Sequence, residues 1–224
     1  MDDPALAWPL FSLVLRTPRL ELHPVRDADL PALASAAAAG IHEPGRSPFP
    51  AAWAEVPAEQ LPADLARYQW SLRAATRPDS WRVAFAIVED GVVIGCQDLL
   101  ADEFAARRTV SSGSWLTRAA QGRGLGREMR AAALLLAFDH LGAEVAESSA
   151  LAWNAASIGV STALGYERNG TQRTVGADGV AVEEIRFRVT PGTFRRPEWS
   201  LDVSGLDAVR PLLVAAATDV VRTP

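Results

Sequence analysis

Three glycines at alternate positions, Gly122, Gly124 and Gly126, fill the run Gln121-Gly-Arg-Gly-Leu-Gly126 directly ahead of the longest helical pattern in the chain. Without Cβ atoms the backbone can approach a ligand closely, and successive amide N–H groups can turn toward one spot, a geometry that suits an anion. A helix beginning here adds the partial positive charge of its N-terminus. Ordinary helices answer that charge with Asp or Glu; here Arg123 and Arg127 flank the start and Arg130 follows one turn later. The bias favours phosphate or pyrophosphate. A nucleoside-triphosphate loop would need a lysine and a hydroxyl residue after the last glycine, whereas Gly126 is followed by Arg127 and Glu128. A dinucleotide fingerprint needs G-x-G-x-x-G after the first strand of a parallel unit, and this loop is one residue shorter and follows an antiparallel run.

The elements that must position this loop are legible from periodicity. Leu20 and Leu22, alternating with Glu21 and His23, predict a short strand within 15–24, and Leu30, Leu33 and the alanines at 36–39 a helix ending at Gly40. A turn-rich loop over 41–50 leads to a second helix over 58–75, with Leu61, Leu65, Tyr68 and Leu72 on one stripe. Trp81 to Val88 and Val92 to Leu99 form a hairpin around Asp90-Gly91, and 108–117 a third strand. Residues 124–141 are a long helix whose Leu125, Met129, Ala132, Ala133 and Leu136 face the core, closed by Gly142. A strand over 145–153, a helix over 154–164 and a hairpin around Asp178-Gly179 complete the order β-α-α-β-β-β-α-β-α-β-β. This is an α+β pattern built on a mostly antiparallel sheet.

Length and composition bound the rest. A chain of 224 residues suggests one large domain with appendages. The 22 Lys and Arg against 27 Asp and Glu leave a net charge of −5, so no overall field draws the protein to nucleic acid or to anionic membranes. Any anion site must be local. The single cysteine, Cys96, forms no internal disulfide, and His23, His42 and His140 lack zinc-ligand spacing, so no metal is expected. Asp2 and Asp3 stand where a secretory signal wants positive charge, and the apolar run Ala131 to Phe138 is too short to span a bilayer, so the expected location is cytoplasmic.

With Gln121, Gly124 and Gly126 in the form Gln/Arg-x-x-Gly-x-Gly/Ala at a strand-to-helix junction, the sequence resembles the GNAT superfamily of acyl-CoA-dependent N-acyltransferases. Thr17-Pro-Arg-Leu20, Gly113-Ser-Trp-Leu116, Asn154-Ala-Ala-Ser157 and Leu164-Gly-Tyr166 resemble its RimJ/RimL-like branch. Ser112 to Leu116, Glu128 to Ala132 and Asn154 to Ile158 are similar to a mycobacterial-type member described as a succinyltransferase. The resemblance divides the chain into an N-terminal segment (1–14), an acyltransferase domain (15–190) and a C-terminal extension (191–224). The extension's stretch over 206–221, with Leu206, Val209, Leu212 and Leu213, would pack on the domain as a helix or support a homodimer or higher homo-oligomer.

The resemblance implies a central sheet flanked by helices, with a V-shaped split for acetyl-CoA or succinyl-CoA as donor and a primary amine as acceptor. Trp115, Leu116 and Thr117 would line the pantetheine, and the amides of Gly122, Arg123, Gly124, Leu125, Gly126 and Arg127, next to Gln121, would hold the pyrophosphate. Asn154 would orient the pantetheine arm and Ser157 would sit near the sulfur. Relatives often carry a tyrosine where this chain has Ser161, and a glutamate where it has Ser111 and Ser112. Ser157 is therefore the better proton donor to the thiolate, and His42 and Glu43, in the loop beside the acceptor cleft, are candidate proton acceptors. Arg46 would meet the distal carboxylate of a succinyl group. A CoA-binding sensor or interaction protein without catalysis is the alternative reading.

Overall fold

The computed structural model describes residues 4–51 and 53–214. Its elements are β1 (Val14–Arg16), β2 (Glu21–Pro24), α1 (Leu30–Ala38), α2 (Leu61–Ala75), β3 (Ser80–Glu89), β4 (Val92–Asp102) and the short α3 (Phe104–Arg107). There follow β5 (Thr109–Leu116), α4 (Leu125–Leu135), β6 (Val145–Leu151), α5 (Ala155–Ala163), β7 (Glu167–Val175), β8 (Ala181–Val189), β9 (Asp202–Ser204) and α6 (Leu206–Leu213). The strands make a nine-stranded sheet in the order β7-β8-β6-β5-β4-β3-β2-β1-β9. Every pairing is antiparallel except β5 with β6.

Alternation along the strands sends side chains to two helical layers. Val110 and Leu116 of β5 join the larger core with Leu125, Met129 and Leu134 of α4, while Trp115 between them packs toward the α1 and α2 side. The expected stripe of α4 is buried throughout. Beyond Leu135 the helix widens into a π turn, Leu136–His140, where Leu141 N–H reaches the Leu136 carbonyl at 3.1 Å, so the long helix is continuous but not uniformly α. Asp90 (φ 50°) and Gly91 (φ 79°) are both left-handed, as a two-residue hairpin turn demands.

Two strands were not expected from the sequence. β1 pairs with β2 and with β9, so the segment after Pro191 extends the edge of the sheet. Both are only three residues long, too short for periodicity to mark. The helix expected over 206–221 is formed as far as Leu213; the remainder of that expectation lies outside the described residues. Val209 and Leu213 are buried in the main core, and Trp81 Nε1 donates to the Leu213 carbonyl at 2.9 Å. No helix among the described residues is long and apolar enough to cross a membrane.

The strand before the glycine loop packs without slack. A Cβ on Gly95 of β4 would stand 2.2 Å from the Trp115 carbonyl oxygen on β5. Gly95→Ala should therefore destabilise the fold by about 1–3 kcal/mol, read from the urea midpoint. An unchanged midpoint would show that β4 and β5 can separate freely there.

Candidate functional site

The β5–β6 ladder covers three residue pairs, Thr109 with Val145, Val110 with Ala146 and Ser111 with Glu147, and then stops. Beyond it β5 stays with β4 and β6 stays with β8, so the facing edges of the two strands part into a V. Arg130 of α4, only 4% exposed, spans the parting: Nη1 donates to Ser148 Oγ on β6 and Nη2 to Ser114 Oγ on β5, each at 3.1 Å. No carboxylate forms an ion pair with it among the described residues. Its Nε, the Ser112 hydroxyl and the Tyr166 hydroxyl are buried without a hydrogen-bond partner. Burial pushes the Tyr166 phenol above its ordinary pKa, against the pull of the Arg130 charge. Arg130, expected with the anion-binding arginines, instead belongs to the split.

The glycine loop closes the open end of β5. Gly122 (φ 72°) and Gly124 (φ 81°) adopt left-handed conformations that an L side chain resists. Gln121 N–H donates to the Arg118 carbonyl and Glu128 N–H to Gly124; between them the amides of residues 122–127 have no partner among the described residues. That row of free donors stands at the N-terminus of α4, where the helix dipole adds to it. The Leu116 and Leu125 side chains lie in the core, so only their backbones are available to a ligand. Thr117 gives its N–H to Ile94, and Arg127 is exposed at the helix start.

The loop is braced from several directions. Gln121 Nε2 donates to the carbonyls of Ile41 (2.7 Å) and Leu116 (2.9 Å). Arg123 is held by both oxygens of Glu89, at 2.7 and 2.8 Å, and Arg19 Nη1 donates to the Arg123 carbonyl. Glu128, 7% exposed in the first turn of α4, accepts from Thr17 Oγ1 (2.6 Å), Arg19 N (3.0 Å) and Arg19 Nε (2.7 Å). A buried carboxylate so fully bonded, at the positive end of a helix, costs little to hide. Thr17-Pro-Arg19 is thus the anchor of the loop-bearing helix.

Across the V, Asn154 Oδ1 accepts from Ser157 N–H at 3.1 Å and caps α5. Ser157 is half-buried, whereas Ser161, one turn on, is wholly buried with its hydroxyl unpartnered. The loop over 41–57 reaches both arms. The Arg46 guanidinium lies 4.2 Å from the Trp153 ring centre, next to Asn154, and Phe49, Trp53 and Trp115 pack in sequence with ring centres 5.6 Å apart and planes tilted by 52°. His42 Nδ1 is 2.8 Å from the Glu43 carbonyl and Nε2 is 3.8 Å from Glu55, while the Glu43 carboxylate pairs with Arg118. These contacts tie His42 into its own loop, Glu43 to Arg118 just beyond β5, and Arg46 to Trp153 just beyond β6.

On the face opposite α4, a cavity of about 290 Å³ opens at the crotch of the V, lined by Ser111, Ser112 and Gly113 of β5 and by Glu147, Ser148 and Ser149 of β6. Asp98 of β4 lies cross-strand from Gly113 on this face. It accepts from Tyr68 Oη (3.2 Å) and Cys96 Sγ (3.4 Å), and burial raises its carboxyl to a pKa of about 6, against those two hydrogen bonds. Sequence reading passed over Asp98. Its signal was an acidic side chain interrupting the apolar strand Val92 to Leu99, on the face that the neighbouring Cys96 marks as buried. No cluster of three His, Cys, Asp or Glu able to hold a metal occurs among the described residues.

Residues 19–167 match the family model described as Acetyltransferase (GNAT) domain. The fold is shared with *Mycobacterium smegmatis* RimJ, solved in complex with CoA-disulfide, at a TM-score of 0.69 and 20% identity over 90% of this chain and 94% of that one. A GCN5-related N-acetyltransferase from *Brucella melitensis* aligns with a TM-score of 0.64 and 18% identity over 80% and 79% of the two chains. A microcin self-immunity acetyltransferase solved with acetyl-CoA and AMP gives 0.61 and 13% over 78% and 93%. The chain belongs to the GNAT acetyltransferase family.

Asp98 carries a stability consequence of definite sign. Its carboxyl binds a proton more tightly in the native protein than in the unfolded chain, so stability falls as pH rises from about 4 to about 6 and is flat above. Asp98→Asn should be more stable than wild type at pH 8 by roughly 2–3 kcal/mol and converge with it near pH 4. Urea unfolding at the two pH values checks this, and a constant difference would mean that the carboxyl titrates normally.

Proposed function

We propose that the protein transfers an acetyl or succinyl group from acyl-CoA directly to a primary amine of a small molecule, peptide or protein N-terminus. The observation that carries this reading is the row of unpartnered amides over residues 122–127 at the start of α4. A diphosphate fits it, because each oxygen can accept from a backbone donor already aimed by the left-handed Gly122 and Gly124. The bound donor supplies an activated thioester carbonyl. The protein's own contribution is binding, orientation and proton handling.

The edge of β5 around Trp115 and Leu116 that β6 leaves unpaired would receive the pantetheine as an added strand would be received, next to Thr117, whose carbonyl also accepts from Ala120 N–H. Asn154 fixes the start of α5, and Ser157 on its first turn would be the hydroxyl that protonates the leaving thiolate. Ser161 lies beneath it, closed off from solvent, and would support rather than donate. Arg46, held over Trp153, would turn toward the distal carboxylate of a succinyl donor; an acetyl donor makes no such demand. His42 and Glu43, in the same loop, are candidates to take up the proton of the amine. Domain limits of 15–190, with 191–224 as an extension, would place all of these groups in the acyltransferase domain.

Calorimetry against CoA, acetyl-CoA and succinyl-CoA should show saturable binding. Gly124→Val, which places a side chain at φ 81° beside Arg19, should weaken it at least about tenfold. Absence of saturation at millimolar CoA would remove the reading. Arg46→Ala should slow thiol release from succinyl-CoA more than from acetyl-CoA, and an equal loss would argue against a carboxylate contact.

A further inference from the structure

β5 carries serines at 111 and 112, where a carboxylate would face the split; Glu147 of β6 lines the cavity, and a second carboxylate stands one strand from β5 on β4. Asp98 on β4 is cross-strand from Gly113, which lines the cavity at the crotch of the V, and a Cβ on Gly113 would meet nothing within 4 Å. The other cross-strand neighbour of Asp98 is Ala84. Asp98 is thus flanked across the sheet by a methyl group on one side and by no side chain on the other, with Leu100 and Gly113 beside it lining the cavity. It makes no ion pair among the described residues; its two oxygens accept from Tyr68 of α2 and Cys96 of its own strand.

We propose that Asp98 accepts the proton that the acceptor ammonium must lose before it attacks the thioester, and that Tyr68 is its positioning residue. The inference rests on the amine acceptor proposed above. In this step the ammonium gives one proton to the Asp98 carboxylate, directly or through one water, and becomes a neutral amine. Its lone pair forms the C–N bond, the C–S bond breaks with its electron pair on sulfur, and the second nitrogen proton ends on the thiolate. Asp98 then releases its proton to solvent. A carboxyl with a pKa of about 6 is suited to this work, being ionised at neutral pH yet basic enough to hold a proton in passing.

The groups facing Asp98 are few. Tyr68 projects from α2, with its phenol raised by burial and by the Asp98 charge; Cys96 lies on β4, with its thiol raised by burial and by Asp98. Arg82 of β3 acts on Tyr68 and is itself paired with Asp102. α1 carries no titratable residue, on β5 the near positions are Ser111 and Gly113, and the charged residues lining the cavity are Glu147 of β6 and Arg186 of β8.

The test is the pH dependence of kcat, followed by thiol release with acetyl-CoA and whichever member of a panel of alkylamines and free N-terminal peptides is accepted. Wild type should show an acidic limb near pH 6, separate from the acceptor's own ionisation. Asp98→Asn should keep its affinity for CoA, lose the limb and fall roughly a hundredfold at pH 7.5. Tyr68→Phe, which removes a donor to the carboxylate, should move the limb upward. Carbon-13 carboxyl NMR of the wild type should find Asp98 titrating at the position of the limb. A limb retained in Asp98→Asn, or unmoved in Tyr68→Phe, overturns the proposal while leaving the acyltransferase reading intact. Failure of every amine to release thiol overturns both.

Discussion

The parting of β5 from β6 after three residue pairs is the constraint on which the site depends. Backbone groups at a parted edge are normally a liability, because each unmet donor or acceptor away from water costs free energy. Here the parting is bridged by a side chain. Arg130 reaches from α4 to a serine on each arm, so the crotch of the V is filled by a planar group with five donors rather than by apolar packing. Apolar residues would favour closing the gap. A guanidinium does not, because its donors need acceptors on both arms, and the serines at 114 and 148 supply them at equal distance.

A second constraint places the glycine loop at the mouth of that split. α4 carries Arg130 on one turn and Glu128 on the turn before, and Glu128 is tied to Thr17 and Arg19 at the opposite end of the sequence. The helix is thereby located against β1 and β2 as well as against β5. Arg19 also donates to the Arg123 carbonyl, so the anchor touches the loop itself. One short segment near the N-terminus thus fixes the position from which the free amides point. The sheet edge that holds this segment is completed by β9, which pairs with β1.

What the sequence disclosed and what it withheld divide along the range of the interactions. The glycine run, the start of α5 at Asn154 and the Asp90-Gly91 turn are local: their chemistry is set within a few residues, and the structure reproduces each. β1 and β9 are strands only because they lie beside each other, with residues 14–16 paired to 202–204, and no window of sequence contains both. Arg130 was read as part of an anion site because a helix start attracts that interpretation. Its actual surroundings, Ser114 and Ser148, become neighbours only when the sheet order is known. Asp98 was missed for the same reason, since an acid in a strand is unremarkable until the face it shares and the glycine beside it are identified.

The two faces of the sheet divide the labour. The free amides and the capped α5 lie with α4, while Asp98, Tyr68 and the aromatic series from Phe49 to Trp115 lie with α1 and α2. The V is where the faces communicate, since strands paired throughout would separate an anion held on one side from a group bound on the other. Burial serves the two sides differently. On the α4 side it hides Glu128 behind hydrogen bonds and leaves its charge fully met, as a structural ion should be. On the α1 and α2 side it leaves Asp98 with two neutral donors and no cation, which raises its proton affinity. The two carboxylates thus hold opposite places in the molecule, the buried Glu128 spent on anchoring the loop and the half-buried Asp98 left able to change its protonation state.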